Sequence, residues 1–134
     1  MNKPKNLRSV FEKIKESVRP SFYANAEDVR QSLLFDFFRE ADKPLAAECC
    51  LIVTEVLRNI PDGVITVDGE EKSAAMVQEV FTMLTHEHIE QVIEVFKRLS
   101  FPIRLRKAYL RTMLYNSVFE FEAALINDVN TDTS

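Results

Sequence analysis

Apolar residues recur along this chain mainly at intervals of three and four, the spacing of helices that bury one side. Leu7, Val10, Phe11, Ile14 and Val18 predict a first helix over residues 6–18, ended by Arg19-Pro20. Asn25 is the expected N-cap of a second helix, about 26–41, with Val29, Leu33, Leu34, Phe37, Phe38 and Ala41 on its apolar side. Asp42-Lys43-Pro44 connects to a third, in which Leu45, Cys49, Ile52, Val53, Val56, Leu57 and Ile60 are so closely spaced that it is expected to run through the centre. Pro61-Asp62-Gly63 is a turn signal, and the β-branched run Val64–Val67 after it predicts a short strand or extended arm with no evident partner in the chain. Ser73 or a neighbour caps a fourth helix that places Met76, Val77, Val80, Phe81 and Leu84 inside.

Residues 85–116 form the most legible stretch, two amphipathic helices meeting at a Phe101-Pro102 break. In the first, Ile89, Val92, Ile93, Phe96 and Leu99 make one stripe, Thr85 stands at the N-cap, and Glu87 and Glu90 suit the positive end of the dipole. In the second, Leu105, Ala108, Tyr109, Thr112 and Met113 share a face, with Leu110 and Leu114 beside it. Val118, Phe121, Ala124, Leu125 and Val129 extend the pattern on a last helix or a continuation of the same one, before a polar tail at 131–134. These patterns predict an all-α fold: a single compact bundle of six or seven helices spanning 1–134, with one short extended segment near 64–67.

Composition narrows the picture. A chain of 134 residues with 46% hydrophobic content suits one folded domain. Two glycines leave little room for all-β turns and none for a glycine-rich phosphate loop. The net charge of -4 confines any nucleic-acid contact to a local basic face. Cys49 and Cys50 are adjacent on a helix and cannot easily bridge, so they read as packing thiols in a reducing, cytoplasmic setting. No apolar run nears the roughly 20 residues that cross a bilayer.

The candidate chemistry is sparse. His86-Glu87-His88 lacks the His-Glu-x-x-His spacing of a zinc protease helix, and these are the only two histidines, so the tripeptide is expected to face solvent in a first helical turn. No nucleophile elbow, Walker loop or paired-carboxylate pattern occurs, which predicts a non-enzymatic protein without metal or cofactor. The basic amphipathic N-terminal helix, residues 1–20, is read as a packing helix with a solvated face. The strongest lead is the acid-free run Lys97, Arg98, Arg104, Arg106, Lys107 and Arg111, a candidate surface for single-stranded DNA or for an acidic protein partner. Tyr109 and Tyr115 offer stacking faces for unpaired bases, although the stripe places Tyr109 in the core. A homo-oligomer pairing through Val64–Val67 is a further alternative.

From about Leu45 to Asp132 the order of pieces resembles the C-terminal domain of the replication initiator protein A family of plasmids and conjugative elements. The pieces are ITVDGEE (Ile65–Glu71), MVQEVF (Met76–Phe81), LTHEHIEQVIEVFKR (Leu84–Arg98), KAYLRTMLYN (Lys107–Asn116) and DVNTD (Asp128–Asp132). More distantly, Tyr109 and Met113 resemble the Tyr-x-x-x-Ile spacing of the DnaD C-terminal domain, with Ser117 in place of its Trp. The resemblance implies an accessory module of replication initiation that contacts a host primase or helicase-loading protein and touches single-stranded DNA. It also implies a separate winged-helix domain that reads the origin, which this sequence does not contain. Ser100-Phe101-Pro102 replaces the family's polar connector, Ala124-Leu125 its paired tyrosines and Asn130-Thr131-Asp132 its Asn-His-Asp ending, so contacts by those side chains do not carry over.

Overall fold

The computed structural model describes residues 6–16, 21–100 and 103–132. Six α-helices and one β-hairpin follow in the order α1 (Leu7–Glu16), α2 (Phe22–Ser32), α3 (Lys43–Arg58), β1 (Val64–Val67), β2 (Glu70–Ser73), α4 (Ala74–Phe81), α5 (His86–Phe96) and α6 (Ile103–Asp132). The mostly helical bundle expected from the periodicity is what forms. The expected Arg19-Pro20 stop and the Phe101-Pro102 break lie outside the described residues.

The third helix is the axis. Leu45, Ala46, Cys49, Cys50, Ile52, Val53, Val56 and Leu57 are all buried on it, and it touches α1, α2, α4, α5 and α6. Ile60, expected on its stripe, lies past its end and is exposed. Burial holds both thiols protonated, raising Cys49 most and pushing Cys50 up to about 12. Among the polar groups carried inward, Thr54 and the Gln78 amide nitrogen are matched, while Gln78 Oε1 is buried and has no hydrogen-bond partner among the described residues. Thr54 donates its hydroxyl hydrogen to the Cys50 carbonyl at 2.8 Å. The buried Gln78 carboxamide of α4 donates to the carbonyls of Val56 and Asn59 at 3.0 and 2.8 Å, satisfying the C-terminal end of α3.

The second helix departs from its expected bounds at both ends. Its N-cap is Ser21, which accepts from the Ala24 N–H, while Asn25 is buried and accepts from Arg58 at 2.7 Å. It stops at Ser32 because Leu34 turns left-handed, with φ 57° and ψ 49°. Two short 3-10 turns, Phe35–Phe37 and Glu40–Asp42, then lead into α3. The cause is a tertiary contact. His86 at the start of α5 donates from Nδ1 to the Leu33 carbonyl at 2.9 Å and packs its ring on Phe38, with centroids 4.0 Å apart. In a continued helix that carbonyl would accept from the Phe37 N–H, which bonds to Leu34 instead. Phe37 is left 77% exposed.

The extended segment has a partner after all. Val64–Val67 pairs antiparallel with Glu70–Ser73, Val67 opposite Glu70, through a two-residue turn at Asp68 (φ 55°) and Gly69 (φ 77°). Both turn residues have positive φ, and Asp-Gly is the dipeptide that favours such a turn. Ile65 and Val67 point into the core. The Thr66 carbonyl accepts from Arg111 on α6, which draws the outer side of this strand against the helix. Ser73 ends the hairpin and caps α4 by accepting from the Met76 N–H, as expected, but Met76 is exposed and Gln78 is the residue that turns inward.

On α6 the buried face is not the expected one. Leu110, Leu114, Ser117 and Val118 are buried, whereas Leu105 and Tyr109 are 48% and 41% exposed. The face toward the core is therefore turned by one residue, roughly 100° of helix. Phe121, Ala124, Leu125 and Val129 lie on the same helix, their side chains outside the described residues, and the helix itself continues to Asp132.

Gln78→Leu should lower unfolding free energy by about 0.5–1.5 kcal/mol in urea titration, because it removes the side-chain donor from the Val56 and Asn59 carbonyls, although the first still accepts from the Asn59 N–H. A loss below a few tenths of a kcal/mol would show that those carbonyls find other donors.

Candidate functional site

The site is the hairpin of α5 and α6. Thr85 and His88 hold its entry in a capping box, in which the His88 ring nitrogen accepts from the Thr85 N–H at 3.0 Å. Neither histidine faces solvent as expected. His86 staples the end of α2, and His88 is buried in the cap. No cluster of three or more His, Cys, Asp or Glu suited to a metal occurs among the described residues.

The six sequence-selected cations fall into two groups. Lys97 sits between Asp42, at 3.1 Å, and Glu94, at 3.2 Å, and Arg39 bridges the same two carboxylates. The hydrogen bond from Lys97 holds the Asp42 carboxyl below its ordinary value of 3.8, helped by Arg39 and opposed by partial burial. Arg106 makes a two-pronged contact with Glu48 of α3, at 2.8 and 2.6 Å, and lies over the Phe96 ring. Lys107 meets Glu55 of α3 at 2.6 Å. Arg111 is spent on the Thr66 carbonyl at 2.9 Å. Arg98 and Arg104 are exposed and pair with no carboxylate among the described residues. Two of the six thus remain for an outside ligand without breaking a fold contact.

The first helix is similarly occupied. Arg8 grips Glu79 of α4, with Nη2 to Oε2 at 2.6 Å, and Lys13 meets Asp28 of α2 at 3.1 Å. Arg8 and Lys13 thus tie to other helices a face expected to be solvated, while Lys15 pairs with Glu12 of α1 itself; Lys3, Lys5 and Arg19 lie outside the described residues.

Beside the cations runs a feature that periodicity alone missed. Because α6 is rotated, Tyr109, Thr112 and Met113 face a groove of about 400 Å³ whose other wall is Val92, Val95 and Leu99 of α5. Val95 and Leu99 are 48% and 40% exposed. Asp68 and Glu120 also line the groove, and the Asp68 backbone N–H is tied to the Thr112 hydroxyl at 2.9 Å. The signal was present as a second apolar series on α6, Leu105, Tyr109 and Met113, one residue out of step with Leu110, Leu114 and Val118. No helix among the described residues is long and apolar enough to cross a membrane. No family model matches the chain, and neither a characterised protein nor a solved structure does.

The Asp42 contacts fix a pH dependence. A depressed carboxyl contributes stability that is complete above its unfolded value and is lost as pH falls through the lower folded one. The wild-type protein should therefore lose stability as pH drops below about 3.8, the ordinary Asp value. Asp42→Asn should be less stable at neutral pH and show a shallower acid limb in thermal melts taken across that window. Superimposable acid limbs would mean that Lys97 contributes nothing through this pair.

Proposed function

We propose that this chain is a non-catalytic docking module that receives a protein partner on the α5–α6 hairpin. The resemblance of residues 45–132 to replication initiator C-terminal domains makes that partner a host replication protein, a primase or helicase-loading component, in the start of mobile-element replication. The observation that carries the docking reading is the contrast within the hairpin. Four of its six cations are engaged by the fold, while an apolar groove next to them stays open. Exposed aromatic and aliphatic side chains at a concave surface are what protein interfaces bury at their centres. A phosphate-tracking surface needs several free cations, and two are weak support for one.

A photo-crosslinking residue placed at Val95 in the host cell should yield a discrete adduct whose mass identifies a replication protein, and the same residue at Ile60 should not. Adducts only with proteins unrelated to replication would remove the proposed role. In parallel, labelled single-stranded DNA should bind weakly, with a log–log salt slope no steeper than about -2, since each neutralised phosphate contributes roughly 0.9 or less. Sub-micromolar binding with a steeper slope would mean that nucleic acid, not protein, is the ligand.

A further inference from the structure

The connection between α2 and α3 is anchored at both ends and strained between them. Upstream, Leu33 is buried and its carbonyl accepts from His86. Downstream, Phe38 packs on the His86 ring, Arg39 reaches Glu94 and Asp42 reaches Lys97. Leu34–Phe37 lie between these anchors. Leu34 is held at φ 57°, and both it and Phe37 are exposed. Among the described residues the backbone of this stretch hydrogen-bonds only within 31–38, to the carbonyls of Gln31, Leu34 and Phe35. Phe35 rests at the margin of the core with the Arg30 guanidinium of α2 over its ring. A left-handed leucine and an exposed phenylalanine both cost free energy. Apolar spacing predicts a helix through 41, yet the helix stops at Ser32, so local preference and tertiary contact pull this stretch in different directions.

The helices before the hinge form a unit. Lys13 of α1 pairs with Asp28 of α2 at 3.1 Å. Leu7, Phe11, Val29 and Leu33 carry the unit into the common core. Arg8 reaches Glu79 and Thr82 at 2.6 and 3.2 Å, and Asn25 accepts from Arg58 of α3 at 2.7 Å. The surface that α1–α2 covers is therefore complementary, contact for contact, to the α1–α2 of any other copy. The strand expected to carry a homo-oligomer is engaged on both edges: Val64–Val67 pairs with β2 on one, and its Thr66 carbonyl takes Arg111 on the other.

We propose that Leu34–Phe37 is a hinge that opens to exchange α1–α2 between two copies of this chain. In the exchanged dimer the contacts of α1–α2 with the body re-form on the second copy, and only the hinge changes. Leu34 leaves its left-handed conformation. Extended, the five steps from Leu33 to Phe38 span about 17 Å, which lets Leu33 seat on the second copy's body while Phe38 stays on its own. The Leu34 and Phe37 side chains of the two hinges meet near the two-fold axis and leave water. Released strain and buried apolar surface thus work against the entropy of joining two chains, which makes the dimer concentration-dependent. The α5–α6 groove stays within its own chain, so the exchange does not depend on what docks there.

Sedimentation of the full chain, before and after partial unfolding in urea at high concentration, measures the exchange. A dimer should form on refolding. Leu34→Gly, which adopts a positive φ without steric cost, should weaken dimerisation at least about tenfold. Leu34→Pro, whose ring excludes a positive φ, should be dimeric at concentrations where the wild type is monomeric. If Leu34→Pro fails to fold, Leu34→Gly still decides the point. The site of contact is read by refolding Arg8→Cys chains together with Glu79→Cys chains and adding a short bismaleimide. The two kinds of chain should be joined covalently, because α1 of one lies on α4 of the other. Cys49 and Cys50 are buried and held protonated, so they stay unreactive. A chain that remains monomeric after refolding at high concentration would overturn the proposal. So would a dimer in which the bismaleimide joins no such pair, or equal dimerisation of the wild type and Leu34→Gly.

Discussion

The third helix is enclosed by five others, and the rest of the structure answers that enclosure. A helix with water on one side can leave its polar groups to solvent; this one cannot. Thr54 bonds back to its own helix, and Gln78 is brought in from α4 to finish the C-terminal carbonyls. Burial of this kind is worth roughly 1.5–3 kcal/mol for each large aliphatic side chain, well above the 0–1 kcal/mol typical of an exposed ion pair. Apolar contact with α3 therefore determines where the other helices lie, and charge adjusts them afterward.

The rotation of α6 shows this order of effects. The helix has two apolar series, and only one can face α3. Leu110, Leu114 and Val118 take that place, with Leu110 alongside Leu51 and Ile52 of α3. Glu48 and Glu55 stand seven residues apart on α3 and receive Arg106 and Lys107 on either side of that contact. The second series is displaced outward: Leu105 and Tyr109 are exposed, and Tyr109 with Met113, the latter half-buried against the core, forms the wall of a groove. The surface available for a partner thus follows from the choice of core face, and the positive charge that looked like a surface feature is largely consumed in making that choice.

The start of α5 exerts a comparable influence over a distance. His86 captures the Leu33 carbonyl and Phe38 packs on its ring, which ends α2 early and sends the chain through a left-handed Leu34. Such a backbone conformation is unfavourable for leucine by roughly 1–2 kcal/mol and persists only because its surroundings over-determine it. The same region delivers Arg39 and Asp42 to Lys97 and Glu94, so α5 is tied to the α2–α3 connection at both ends.

Periodicity was enough to identify the helices, the central role of α3, the Thr85 and Ser73 caps and the inward stripe of α5 from Ile89 to Phe96, though not Leu99, which is exposed. Those properties depend on neighbours three or four residues apart, which the chain order states directly. The hairpin was not legible: the pattern predicts no partner in the chain for Val64–Val67, because the second strand is Glu-Glu-Lys-Ser and has no apolar alternation to reveal it; backbone pairing alone makes it a strand. What only the tertiary structure decided was which of two apolar faces α6 buries, where α2 ends, and which cations remain unpaired. Each of these depends on a residue more than 40 positions away, Leu51 for Leu110, His86 for Leu33 and Glu48 for Arg106. A local pattern can show that a face is apolar or a side chain charged. It cannot show which distant group will remove that face or that charge from water.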